Sequence, residues 1–163
     1  MGISDYIAGL RRKLGNDLLL LPSVGGVLFD EQRRVLLQQA SDDGEWYVPG
    51  GAIDPGEEPA DAIVREMLEE TGLNIEPVRI LGVAKSPNIT YPNGHQVQYV
   101  AITFLCRIVG GTLKISDDES LALRFYDTRD LPPLREEHAA PIVQALADEP
   151  AAAFRRNGRW HTP

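Results

Sequence analysis

The part of the sequence best equipped for chemistry is a strongly acidic stretch, residues 51–73. It holds seven acidic residues and one base, Arg65, for a net charge of −6, whereas the other 140 residues carry only −2. Three of the acids, Glu66, Glu69 and Glu70, recur at i, i+3 and i+4, a spacing that places them side by side on a helix. Like charges at this spacing repel, and hard cations such as Mg²⁺ prefer oxygen ligands. The pattern therefore predicts a carboxylate metal site.

Neighbouring residues could hold these carboxylates in place. Arg65 lies four residues before Glu69, so its guanidinium can orient that carboxylate. Glu57 lies just before the helix, and the helix N-terminus favours a nearby negative charge. Gly50 and Gly51 supply backbone that can bend sharply and approach a ligand closely. The competing interpretation is that the acidic face is merely solvated, which is the usual role of such a face.

The helix that must carry these residues has clear end signals. Pro59 suits the first helical position, and Gly72 suits a left-handed C-terminal cap, so we expect a helix over Pro59–Thr71. The apolar residues predicted to pack on a sheet are Ala60, Ile63, Val64 and Met67.

Around this helix the sequence predicts short strands and two further helices. An apolar stripe at helical spacing indicates an N-terminal helix and consists of Ile3, Tyr6, Ile7, Leu10 and Leu14. A C-terminal helix is expected to begin near Arg135. The predicted strands are Leu18–Leu21, Val24–Phe29, Val35–Gln39, Trp46–Val48, Val78–Ala84, Gln96–Val109 and Leu121–Tyr126, the second and third forming a hairpin.

This mixture predicts an α+β fold in which a mixed sheet is flanked by helices. No internal repeat or long linker divides the 163 residues, so we expect a single domain. Its expected parts are an N-terminal helical extension at residues 1–16, a core at 24–146 and a C-terminal tail at 150–163.

Composition excludes several classes of function. The net charge of −8 disfavours a grip on duplex nucleic acid, which requires a cationic face. No apolar run approaches the roughly 20 residues of a membrane span, so no membrane partner is expected. The single cysteine, Cys106, cannot form an internal disulfide, which favours a reduced, cytoplasmic compartment.

The spacing of the whole acidic segment resembles the Nudix box, the signature of the Nudix hydrolase family. Five residues separate the first glycine from the first glutamate, and seven separate that glutamate from an Arg-Glu pair. The positions that match are Gly51, Glu57, Arg65, Glu66, Met67, Glu69, Glu70, Gly72 and Leu73. Segments resembling the family's flanking strands extend the likeness over Val24–Leu146.

The resemblance implies an α/β/α sandwich that hydrolyses a nucleoside diphosphate linked to another group X, with Mg²⁺ or Mn²⁺ as cofactor. The metal ligands that it implies are Glu66, Glu69, Glu70 and the carbonyl of Gly51. Glu57 and Arg65 would orient the loop and the ligands. The general base stays open between a box residue, Glu66 or Glu69, and Glu119 in a later acidic loop.

The identity of X also stays open among nucleotide sugars, dinucleoside polyphosphates, ADP-ribose and oxidised nucleoside triphosphates. Trp46 could stack on a base, Lys85 could reach a phosphate, and Tyr91 lies in a loop where some relatives place a tyrosine. A catalytically silent sensor of ADP-ribose-like nucleotides is the alternative, although the retained carboxylates favour an enzyme. The apolar stripe of the appended helix needs a cover, and we expect a homodimer.

Overall fold

The computed structural model describes residues 4–115 and 120–161, and three α-helices lie within them. Helix α1 spans Asp5–Leu14, α2 spans Pro59–Thr71 and α3 spans Glu136–Ala147. The bounds of α2 agree with the prediction, and Gly72 ends it in the left-handed conformation, with φ 71° and ψ 8°. None of the helices in the described part of the chain is long and apolar enough to cross a membrane.

The strands of the described residues form two sheets. In chain order they are β1 Leu19–Leu28, β2 Val35–Ala40, β3 Trp46–Tyr47, β4 Leu73–Lys85, β5 Ile89–Thr90, β6 Gln96–Gly111, β7 Ser120–Tyr126, β8 Ala153–Arg156 and β9 Arg159–His161. The larger sheet has the order β1-β6-β4-β8-β9, with β5 beside β6, and the smaller has the order β3-β2-β7. Strands β1 and β6 pair in parallel and β4 and β6 antiparallel, so the mixed sheet with flanking helices is confirmed.

Two apolar clusters join the layers. Helix α2 packs on the larger sheet, where Ile63 and Met67 meet Val24 and Phe104. A Cβ at Gly26 would lie only 2.4 Å from Met67 Cε, so glycine lets the helix approach β1 closely. The second cluster brings α3 against both sheets and includes Val27, Leu37, Val48, Leu81, Ile142 and Ala145.

Leu18–Leu21 and Val24–Phe29 do not form separate strands, and the predicted hairpin is reduced to its turn, which a single antiparallel bridge between Phe29 and Val35 closes. Strand β1 runs through Pro22 and pairs with β6, whereas β2 pairs with β3 and β7. The N–H groups of Val24 and Gly26 donate to carbonyls of residues 49–51, and Pro22 has the same orientation. Its missing N–H therefore faces that loop and leaves the pairing with β6 intact.

The predicted buried face of α2 is only half right. Ile63 and Met67 are buried as expected, whereas Ala60 and Val64 are exposed. The other buried residues are Ala62, Glu66, Glu70 and Thr71. The helix is rotated so that two carboxylates face inwards. A helical wheel misses this rotation because it treats every glutamate as a surface residue, whereas here the guanidinium of Arg65 donates to Glu66 and the N–H of Gly50 donates to Glu70.

The N-terminal helix packs within its own chain. Ile7 and Leu10 of α1 contact a cluster at the start of β1 and β6. The buried Arg11 anchors the helix, since its guanidinium donates to the carbonyl oxygens of Asp17 at 2.8 Å and Gln96 at 2.7 Å. Tyr6 and Leu14 remain exposed by 52% and 45%.

The C-terminal tail is part of the larger sheet. Strand β8 pairs in parallel with β4, and β9 returns antiparallel to β8. The segment that the sequence placed outside the core therefore extends the sheet by two strands.

Candidate active site

A cleft of about 940 Å³ lies between the larger sheet on one side and the smaller sheet and α3 on the other. Its floor includes inward-facing residues of β1 and β6, among them Ser23, Gly25 and Thr103. The loop before α2 and the inward face of α2 form one end, where Gly51 and Glu66 lie. The cleft therefore opens onto the acidic helix that the sequence singled out.

Arg65 is the centre of an ion-pair network at this end. Its guanidinium binds both oxygens of Glu57 at 2.8 Å, and it donates to Glu66 Oε1 at 2.8 Å and Glu69 Oε2 at 3.3 Å. It also donates to the carbonyl of Ala52 at 3.1 Å. The bidentate pair holds the pKa of Glu57 below its usual range and raises the pKa of Arg65. Arg65 thus ties the loop before α2 to the helix carboxylates.

Glu66 is fully buried beside the cleft, and the ion pair satisfies only half of its carboxylate. Oε1 accepts from Arg65, whereas Oε2 has no hydrogen-bond partner among the described residues. Burial raises the pKa of Glu66 to about 7. A Cβ at Gly51 would lie 2.4 Å from the Glu66 carboxylate carbon, so only glycine leaves room for it. A buried oxygen without a donor fits a cation.

Glu70 lies one turn further along the same face and is 3% exposed. The N–H of Gly50 donates to its Oε2 at 3.3 Å. The carbonyl of Gly51 accepts from Val24 at 2.9 Å and retains a second lone pair. Two buried carboxylates and a nearby carbonyl are the donor types that Mg²⁺ and Mn²⁺ prefer, so the residues fit such an ion.

Within residues 4–115 and 120–161, no three His, Cys, Asp or Glu side chains are already arranged as a metal centre. The guanidinium of Arg65 lies among the carboxylates instead. Glu69 does not line the cleft, and its half-exposed side chain contacts Arg65. Glu119 lies outside the described residues. The general base therefore stays open among Glu66, Glu69 and Glu119.

Of the three residues predicted to contact the substrate, two line the cleft and one does not. Lys85 and Tyr91 line the cleft, where the hydroxyl of Tyr91 lies 3.2 Å from that of Tyr99. Trp46 does not line the cleft, because its ring packs edge-on against Tyr126 at 5.0 Å in the second apolar cluster. Successive side chains of a strand point to opposite faces, so the next residue, Tyr47, faces the cleft.

A polar cluster that no sequence pattern indicated lies on the wall opposite the larger sheet. The Tyr47 hydroxyl donates to Asp43, and Arg135 lies 3.4 Å from that carboxylate and over the tyrosine ring. The His138 ring meets Tyr47 edge-on at 4.8 Å, and its Nδ1 accepts from the N–H of Val48 at 3.4 Å. Burial lowers the pKa of His138 to about 4, so the ring is neutral at pH 7. No local signal links α3 to the cleft.

A mixed-sheet fold with an acidic helix at one end of a cleft defines the class of protein. The family model described as the NUDIX domain matches residues 19–146, and the chain belongs to the Nudix family. Among its relatives, ADP-ribose pyrophosphatase of Methanocaldococcus jannaschii is 35% identical over 118 residues, which is 71% of this chain and 67% of that protein. The 8-oxo-dGDP phosphatase NUDT18 of Homo sapiens is 38% identical over 141 residues, 82% of this chain and 39% of that protein.

A solved structure agrees with this fold. The crystal structure of an ADP-ribose pyrophosphatase from Streptococcus suis is 26% identical, with a TM-score of 0.62, and the match covers 83% of this chain and 97% of that chain. The chain thus spans about two thirds of its archaeal relative and about two fifths of its human one.

Proposed function

We propose that the protein is a metal-dependent pyrophosphohydrolase. It cleaves a nucleoside diphosphate linked to X into a nucleoside monophosphate and a phosphorylated X. The observation that carries this proposal is the buried carboxylate of Glu66, which has one unpartnered oxygen and lies beside Glu70 at the end of the cleft. Arg65 pairs with only one oxygen of Glu66, so a bound divalent cation would offset the remaining cost of burying two carboxylates.

The metal would be held by Glu66, Glu70 and the carbonyl of Gly51, with Glu69 completing the set. A bound Mg²⁺ or Mn²⁺ neutralises the pyrophosphate oxygens and lowers the pKa of the attacking water. Arg65 keeps the carboxylates oriented.

Proton transfer and phosphate binding fall to other side chains. One of Glu66, Glu69 and Glu119 takes the proton of the attacking water. Lys85, which lines the cleft, offers its ammonium to a substrate phosphate as a point charge.

The substrate is a small nucleoside diphosphate derivative. The cleft volume of about 940 Å³ lies at the upper end of the range for small-molecule sites, which suits a ligand with two ring systems. Relatives named for ADP-ribose and for 8-oxo-dGDP indicate two classes of X to test first.

The test is a substrate panel. Purified protein is incubated with ADP-ribose, a nucleotide sugar, a dinucleoside polyphosphate and 8-oxo-dGDP, each with Mg²⁺ or Mn²⁺, and products are identified by mass spectrometry. We expect a nucleoside monophosphate from at least one substrate. Tight binding of ADP-ribose without any product would instead support the silent sensor.

We also propose that the chain is one domain, works in the cytoplasm and assembles as a homodimer. The lone Cys106 suits a reducing compartment. Tyr6 and Leu14 are the exposed apolar residues of α1 that a partner could cover. Light scattering should give a dimer that Tyr6→Glu weakens, and an 18.0 kDa monomer at micromolar concentration would refute it.

A further inference from the structure

The appended C-terminal hairpin delivers an aromatic side chain to the cleft. Strand β8 adds to β4 with Ala153 opposite Gly82, and in β9 Trp160 lies opposite Arg155. Opposed residues of neighbouring strands share one face of a sheet. That face is turned towards the cleft, because Trp160 is one of its lining residues.

Specific contacts hold this ring in place. A Cβ at Gly82 would lie 3.2 Å from Trp160 Cζ3 and 2.9 Å from the carbonyl oxygen of Ala153, so the glycine makes room for the indole to lie over β4. Arg155 Nη2 lies 2.6 Å from Glu136 Oε2, which ties the hairpin to the first turn of α3.

The indole N–H is buried without an acceptor. Among the described residues, Nε1 of Trp160 has almost no accessible surface and no hydrogen-bond partner. Buried tryptophan N–H groups normally find an acceptor, and an exception asks for an explanation. The N–H itself is covered, but the ring borders the cleft, so a turn of the indole would bring the N–H to an acceptor on a bound ligand.

Trp160 also lies away from the helix carboxylates. Residues 49–53 run along β1 on the side opposite β6, and they carry the glycines next to Glu66. Strand β4, beneath the Trp160 ring, is two strand spacings beyond β1, which is about 10 Å. A substrate cleaved at the carboxylates would therefore present its far end to Trp160.

We propose that Trp160 contacts the substrate. It binds the ring at the end of the substrate that lies farther from the carboxylates of Glu66 and Glu70. Its N–H donates to an oxygen or nitrogen acceptor on that ring, after a small rotation of the indole as the cleft fills. This proposal rests on the proposed function. It makes the hairpin, which lies outside the matched residues 19–146, a part of the binding site.

The first experiment measures steady-state kinetics of Trp160→Phe with the best substrate of the panel. The variant keeps an aromatic ring and loses the N–H, so we expect KM to rise about three- to tenfold while kcat stays within about twofold. The matched control is Phe154→Leu on the same hairpin, because Phe154 is stacked on His161 and does not line the cleft. Its KM should not change.

An unchanged KM for Trp160→Phe would overturn the proposal. Equal losses of kcat/KM in both variants, together with lower melting temperatures, would also overturn it by showing a purely structural role. AMP and ribose 5-phosphate each represent one end of ADP-ribose, and their inhibition constants show which end Trp160 contacts. Trp160→Phe should raise the inhibition constant of the compound whose ring Trp160 contacts and leave the other unchanged.

A second measurement needs no turnover. In Trp46→Phe protein Trp160 is the single tryptophan, so its emission can be excited apart from that of the tyrosines. At least one substrate of the panel, added in EDTA, should change this emission saturably. If no panel substrate is hydrolysed but this change occurs, the proposed function fails while the Trp160 contact stands. Unchanged emission with every substrate of the panel, including any that is hydrolysed, would overturn the contact.

Discussion

Glu66 and Glu70 of α2 have buried carboxylates, and both lie against the backbone of the glycines that precede the helix. The Glu66 carboxylate occupies the place that a side chain at residue 51 would fill, and Glu70 accepts from the N–H of Gly50. Buried carboxylates cost folding free energy unless they are paired. On the proposed function, a divalent cation bound between these carboxylates would offset that cost.

The first prediction concerns these carboxylates. Glu66→Gln and Glu70→Gln should each lower kcat by about 100-fold or more, because each removes a charged ligand donor while keeping the side-chain shape. The control is Glu58→Gln, since Glu58 is exposed and makes no side-chain cap to α2. Far-UV circular dichroism should be unchanged in all three. More than a tenth of wild-type turnover in both variants would exclude these residues as ligands.

The second prediction concerns His138, whose pKa burial lowers to about 4 from the ordinary 6.5. The unfolded chain then binds a proton more readily than the folded one, so stability is lost as pH falls below 6.5. Between pH 7.5 and 5 this group should cost about 2 kcal/mol of unfolding free energy. Urea unfolding should show a correspondingly shallower pH dependence for His138→Gln, and equal slopes would contradict the assignment.

At the scale of elements, the end of α2 depends on one glycine. Gly72 has a φ of +71°, and a Cβ there would lie 2.6 Å from the carbonyl oxygen of Thr112. Gly72→Ala should therefore destabilise the protein by about 2–3 kcal/mol in urea unfolding. Gly44→Ala is the matched control, with the same φ but open space, and should cost only about 1 kcal/mol. Equal costs would show that the clash relaxes.

The elements that the sequence could predict are those whose determinants are local in the chain. The ends of α2 follow from Pro59 and Gly72, which act within one helical turn, so both bounds were predictable. The pairing of β1 with β6 joins distant segments, and no local pattern encodes it. The burial of Glu66 was not predictable from a helical wheel, because it depends on the ion pair with Arg65 and on the space that Gly51 of the preceding loop leaves.

At the scale of the whole molecule, one end of the cleft is formed by the Nudix box, which the sequence predicts. The residues that line its walls come from distant segments and could not be predicted. The residues of α2 are adjacent in the chain, so their spacing predicted a carboxylate site. His138 and Trp160 reach the cleft from α3 and from the C-terminal hairpin, and only the tertiary fold brings them there. Resemblance to the family therefore predicted the chemistry better than the substrate.

The central claim, that the α2 carboxylates hold a divalent cation needed for hydrolysis, is tested most directly by metal depletion. The best substrate of the panel is assayed after prolonged chelation and again after Mg²⁺ is added back, with wild type and Glu70→Gln side by side. We predict that chelation abolishes turnover, that Mg²⁺ restores it without Zn²⁺, and that Mg²⁺ also raises the melting temperature of wild type but not of the variant. Full hydrolysis by the chelated wild-type protein would contradict the claim.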